Sequence, residues 1–255
     1  MNTHATFVLH LADNALILGQ RNAEWCGHGP ILEEDLAMAN NSLDLIGQAR
    51  LLYQHVAHLR QDGSNEDTLA YFRDQQDFLN FTLLELPHTT ALAPSARAER
   101  DYAVTVARNF LFSAYMVLVW QRLQQHSDTQ LAAIADKSLK EVRYHLQHSA
   151  DWLIRFGDGT QASHDKAQAA LNFLLPYTQE FWSDWPAADP LLGDPLAMQT
   201  EWQATVHAVL AEAGLQAPPD SGYLTQGKHG IHSEHMSYVL AEMQSLARQH
   251  PGATW

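Results

Sequence analysis

Apolar residues recur every three or four positions along most of this chain, and that spacing predicts helices almost from end to end. Over residues 5–26 the line runs through Phe7, Leu11, Ala15 and Leu18, with Val8, Ala12 and Leu16 beside it. It stops at CGHGP, where two glycines and Pro30 make a tight connection. A second helix follows through ILEEDLAMANNSLDLIGQARLLYQHVAHL, acidic in its first turn as the helix dipole favours. After the loop RQDGSNED, the stretch 68–86 predicts a shorter helix closed by Pro87, and HTTALAPS reads as irregular. A long helix is expected from about Arg97, turning at Ser127-Asp128-Thr129 and returning to about residue 156. GDGT breaks the chain, Ser163 is placed to cap the next helix, and Pro176 should interrupt it. Two further helices are expected, through MQTEWQATVHAVLAEAG and SEHMSYVLAEMQSLARQ.

Period-two alternation with β-branched residues is nowhere sustained, so the expected class is all-α. The hairpins 5–60 and 97–156 predict an antiparallel four-helix bundle in one domain over 1–255. Helices within 68–86 and 163–250 would lie at its periphery.

Composition narrows the functions open to such a bundle. A formal net charge of −14 argues against nucleic acid or an anionic membrane as partner. The longest apolar run, NFLFSAYMVLVW, reads as too short to cross a bilayer, and the N-terminus lacks the basic start of a signal peptide. With a single cysteine, Cys26, no internal disulfide can form, and a cytoplasmic location is expected.

The candidate chemistry lies in EVRYHLQH, residues 141–148. Glu141 and His145 are four apart and share a helix face. Di-iron carboxylate bundles draw a Glu-x-x-His motif from two helices and one further Glu from each of the other two. Reflection about the hairpin turns places Asp44 level with Asp13 and Asn14, and Glu141 level with Tyr115. The third long helix then offers no carboxylate, and the second has Gly47 and Gln48 where a histidine is needed. The one Glu-x-x-His, Glu85 to His88, contains Pro87 and falls at a helix end. Asp13, Asp44, Gln48, Glu141 and His145 therefore read as a polar layer left by a former metal site, with no catalytic or metal-ligating role. Buried carboxylates need compensation. Lys137, one turn before Glu141, is the cation expected to pair with Glu141 and Asp44, ahead of Arg108.

Other features carry less. GDGT and GKHG match no phosphate-cradling pattern, HSEH at 232–235 reads as a helix start capped by Ser233, and Cys26 has no arranged partners for nucleophilic chemistry.

Three phrases together are specific: LGQRNAEWCGHGPILEEDLAMANNSLDLIGQAR, LKEVRYHLQHSADWLIRFGDGT, and GKHGIHSEHMSYVLAEMQ with the final Trp255. They resemble the family of C-type subunits of the bacterial phenylacetyl-CoA epoxidases, also called ring-1,2-phenylacetyl-CoA monooxygenases. The resemblance runs over nearly the whole chain. It implies a ferritin-like, non-catalytic subunit of a multicomponent NADPH-dependent oxygenase in aerobic phenylacetate degradation. It also implies an A-type sister subunit that carries the di-iron centre and binds the acyl-CoA, and a reductase with FAD and a [2Fe–2S] cluster. This chain would bind no cofactor itself and would form a homo-oligomer when isolated. The competing expectations are an independent metal oxidase using Asp44, Glu141 and His145, and a bundle that binds acyl-CoA without chemistry.

Overall fold

The computed structural model describes residues 3–90 and 100–253. Part of HTTALAPS, the expected start of the third long helix and Trp255 lie outside them. The helices are α1 (Thr3–Ala23), α2 (Leu32–Arg60), α3 (Glu66–Tyr71), α4 (Thr82–Glu85), α5 (Tyr102–Leu123), α6 (Thr129–Gly157), α7 (Gln161–Leu174), α8 (Gln179–Trp182), α9 (Pro195–Glu212) and α10 (Glu234–Gln249). Short 3₁₀ turns at Gln75–Asp77, Leu175–Thr178, Pro190–Leu192 and Gly227–His229 punctuate them. Among the described residues there is no strand, only an isolated bridge between Gln226 and Ile231. The fold is all-α and ferritin-like in its long hairpins, as the periodicity and the resemblance predicted.

The two long hairpins belong to different compact units. The first comprises Met1–Leu86, Trp185–Asp189 and Thr225–Trp255, and the second comprises Pro87–Asp184 and Pro190–Leu224.

In the first unit α1 packs along α2. A Cβ at Gly19 would stand 3.2 Å from Ile46 Cγ1 and 3.3 Å from Leu45 Cβ, so the absence of a side chain sets how closely the helices approach. Ser42 Oγ donates to the Gly19 carbonyl at 2.6 Å across the same contact. α1 is buried on nearly every face, and its buried set includes His10, Asp13, Asn14, Arg21 and Asn22. A helix enclosed in this way must find a partner for each polar group.

That need explains the departure at 68–86. Instead of one helix, this stretch forms α3, a 3₁₀ turn and α4, with extended backbone between them. The Leu79 and Phe81 N–H groups donate to the side chains of Asp13 and Asn14, at 2.8 and 2.8 Å, and the Leu79 carbonyl accepts from His10 at 2.5 Å. Backbone groups that a continuous helix would have used are taken by side chains of α1.

In the second unit α5 and α6 start on aspartate caps, Asp101 and Asp128. Thr160, not Ser163, caps α7, its side chain accepting from the Ser163 N–H. Pro176 interrupts the helix as expected, within the 3₁₀ turn Leu175–Thr178. α9 is fastened to α5 by Trp202 Nε1, which donates to the Leu111 carbonyl at 3.0 Å. α5 also corrects an expectation: by length and hydropathy it qualifies as a membrane span. However, 89% of its apolar window is buried inside the protein, and core burial accounts for that apolarity.

Candidate functional site

The most concentrated polar chemistry of the first unit surrounds Asp13, which is fully buried. Tyr53 Oη donates to its Oδ1 at 2.6 Å, Arg73 Nη1 to Oδ2 at 3.1 Å, and the Leu79 N–H to Oδ2 at 2.8 Å. Arg73 Nη2 pairs with Oδ1 as well, which makes the bridge bidentate. The guanidinium lies 4.0 Å from the Phe78 ring centre, and its Nε and Nη1 donate to the carbonyls of Leu69 and Asp77. Burial, together with the Asp13 charge, pushes the Tyr53 hydroxyl well above its ordinary value, so it stays a donor. Asp13 is thus a charge-compensated carboxylate, its lone pairs already taken by protein donors. To ligate a metal it would have to release Arg73.

One turn away, His10 and Asn14 lock each other's roles. Asn14 Oδ1 accepts from the Phe81 N–H, so Asn14 Nδ2 must donate, and it reaches His10 Nε2 at 3.0 Å. Nε2 is then a lone pair, and Nδ1 carries the proton given to the Leu79 carbonyl. Burial above all holds the neutral form, with Lys228 adding to it against the Leu79 bond, and the imidazole falls to about 3. Unfolded His10 protonates near 6.5, so stability should fall by about 1.4 kcal/mol per pH unit between 6.5 and about 3. Comparison of unfolding free energies at pH 7 and pH 5 for the natural chain and His10→Gln should show this acid limb reduced in the variant.

His232 has the opposite fate. Its Nδ1 meets Glu85 Oε2 at 2.7 Å and its Nε2 meets the Phe78 carbonyl at 2.9 Å. Both ring nitrogens face acceptors, so the ring serves as an imidazolium. Burial alone would lower it, but the hydrogen bond and charge of Glu85 outweigh that, and the net shift is upward. Glu85 is fully buried and also accepts from the Ser233 N–H at 2.5 Å and Asn80 Nδ2 at 3.1 Å. Arg21 clamps the Glu85 backbone carbonyl through Nε at 3.1 Å and Nη2 at 2.5 Å. The HSEH motif is used here: His232 anchors the chain and Ser233 caps α10, as the sequence suggested for Ser233.

The remaining predicted positions fall into the two units separately. In the first, Asp44 is half-buried on α2 and Gln48 is buried one turn later. In the second, His145 is buried on α6, and Glu141 pairs with Lys137 at 2.5 Å. Lys137 is not a buried cation, since its side chain is 55% exposed. The buried line of α6 runs through Ser138, Val142, His145 and Ser149, and Lys137 is one residue, about 100°, off it. Arg108, ranked second, is the one that is buried, with Nη2 at 2.8 Å from His88 Nδ1. Asp13 is compensated by Arg73, which sequence reasoning missed. A signal was present: Arg73 is the only Lys or Arg between Arg60 and Arg97. Lys137→Met should therefore change stability by no more than about 1 kcal/mol, as for an exposed pair, measurable by urea unfolding.

Of these groups, Gln48 brings an amide, Glu141 pairs with Lys137, and Asp13 is held by Arg73. The residues alone thus describe packed polar clusters without naming a role, and kinship supplies one. The family model described as phenylacetic acid catabolic protein matches residues 1–255. The chain belongs to that family. Within it, the C subunit of the 1,2-phenylacetyl-CoA epoxidase from Escherichia coli (strain K12) is 43% identical over 261 residues, covering 100% of both chains. In this member of the phenylacetic acid catabolic proteins, His10 serves the packing of α1 and His232 the anchoring of α10.

Proposed function

We propose that the chain is the non-catalytic subunit of a phenylacetyl-CoA 1,2-epoxidase, supporting a separate di-iron catalytic subunit in aerobic phenylacetate degradation. The observation that carries this reading is the engaged state of three carboxylates: Asp13 is held by Arg73 and Tyr53, Glu85 by His232 and Asn80, and Glu141 by Lys137. None of these three carboxylates is left as an open ligand of the kind a di-iron centre needs. The full-length similarity to the Escherichia coli epoxidase component supports the pathway and the partnership. On this reading the iron, FAD and [2Fe–2S] cluster reside in the partner subunits. The contribution of this chain is a rigid helical surface on which the catalytic subunit is stabilised.

Two measurements test the proposal. After chelator-free purification the isolated chain should hold far less than one iron, manganese or zinc per molecule. Epoxide formation from phenylacetyl-CoA, NADPH and O₂ should require the catalytic subunit, which should co-purify with this chain. Near-integral metal together with turnover by the chain and reductase alone would instead establish the independent metal oxidase.

A further inference from the structure

The second unit holds a cavity of about 170 Å³, walled by α9, the chain around α8 and the loop that follows α9. A void of about 150 Å³ is enough to take up benzene, so this one admits a single ring with a small substituent. The loop wall is set in advance. The Gln168 amide holds both backbone groups of Gln216, accepting from the N–H at 3.0 Å and donating to the carbonyl at 2.8 Å. Pro218 and Pro219 then line the cavity with φ fixed by their rings. A wall already ordered costs a ligand less on binding.

Two tryptophans of the wall, Trp182 and Trp202, meet edge to face with ring centres 5.6 Å apart. Their N–H groups differ. Trp202 Nε1 is spent on the Leu111 carbonyl at 3.0 Å, which fixes its ring against α5. Trp182 Nε1 is buried and finds no acceptor among the described residues. A buried indole N–H ordinarily has a partner, and one left without loses its hydration for nothing. The side-chain amides of Gln179 and Gln199 also line the cavity and make no hydrogen bond to another described residue. Apolar rings with a few unspent polar groups are the composition of a small-molecule site. Charge narrows the ligand. Among the described residues of the lining there is no lysine or arginine, and Asp220 is a carboxylate, so an anion would meet repulsion without a counter-charge.

We propose that this cavity binds a small neutral aromatic amide, its ring against Trp182 and Trp202 and its carbonyl accepting from Trp182 Nε1. The amide group of such a ligand both donates and accepts, as the facing glutamine amides do. The inference does not rest on the proposed function, because the cavity is a property of the second unit alone.

Saturation-transfer NMR titrations of the full-length chain test it, with benzamide, benzoate and acetamide as probes. Benzamide should bind saturably. Benzoate, the same ring carrying a charge, and acetamide, the same amide without the ring, should each bind about tenfold more weakly or worse. Trp182→Phe keeps a ring and removes the donor, and should weaken benzamide about fivefold, the worth of one neutral hydrogen bond. Ala217 lies on the lining at an exposed position of the loop. Ala217→Trp should therefore fill the cavity and abolish binding while leaving the unfolding midpoint in place, which separates blocking from misfolding. Absence of saturable benzamide binding overturns the proposal. Equal binding of benzoate overturns it as well, as does benzamide binding that Ala217→Trp leaves unchanged.

Discussion

Arg73→Met is expected to destabilise the protein by about 3–5 kcal/mol, the range for removing one partner of a buried ion pair. Asp13 would keep the Tyr53 hydroxyl and the Leu79 N–H, but its full charge would be stranded in a fully buried position. Arg73 is itself mostly enclosed, with 11% of its side chain exposed, so solvent cannot replace what is lost. It also holds the 68–86 stretch through the Leu69 and Asp77 carbonyls. Total stabilities of about 5–15 kcal/mol leave little margin for such a loss. Urea unfolding with an unchanged slope would give the difference directly. The double variant Asp13→Asn/Arg73→Met should recover part of it, because the two residues act as one unit. A loss no larger than that of Lys137→Met would show that Asp13 is protonated or hydrated in the folded protein.

Glu85→Ala should cost a similar amount, again about 3–5 kcal/mol, but with a different signature. The glutamate joins α4 to the segment leading into α10, through His232 and the Ser233 N–H. Without it the imidazolium, the Ser233 N–H and Asn80 all lose an acceptor, and α10 should open first. Hydrogen exchange across Glu234–Gln249 should rise before exchange in α1 does. The pH dependence has a definite sign. Because the folded value of His232 is raised, its stabilisation is complete below the unfolded value near 6.5 and is lost as pH rises through the folded value. His235, which burial lowers, and Arg21 also face this site. His232→Gln should flatten the decline on the alkaline side and leave the acid limb of His10 in place. A variant with the parent's slope above pH 6.5 would count against a charged His232.

The long helices were legible because their cause is local. Apolar spacing and the Pro176 break are properties of neighbouring residues, and α1, α2 and α6 fall where those signals put them, while α5 begins at Tyr102 on an Asp101 cap that the spacing did not predict. The family resemblance was equally a property of the chain. The stretch 68–86 shows where local reasoning ends. Its sequence has helical spacing, yet its backbone groups are claimed by His10, Asp13 and Asn14, more than sixty residues away. Propensity is worth tenths of a kcal/mol per residue, and a buried unpaired Asp13 would cost far more, so the distant demand prevails.

The same hierarchy decided the polar residues. From the sequence by itself came the carboxylates, the incomplete ligand pattern and the need for a compensating cation. Which cation serves was beyond it, since Lys137 misses the buried line of α6 by one residue, while Arg73 reaches Asp13 from a segment whose path only the fold defines. Protonation was beyond it too. His10 and His232 are the same residue type, and only their tertiary partners, an amide donor for one and a carboxylate acceptor for the other, make the first neutral and the second charged.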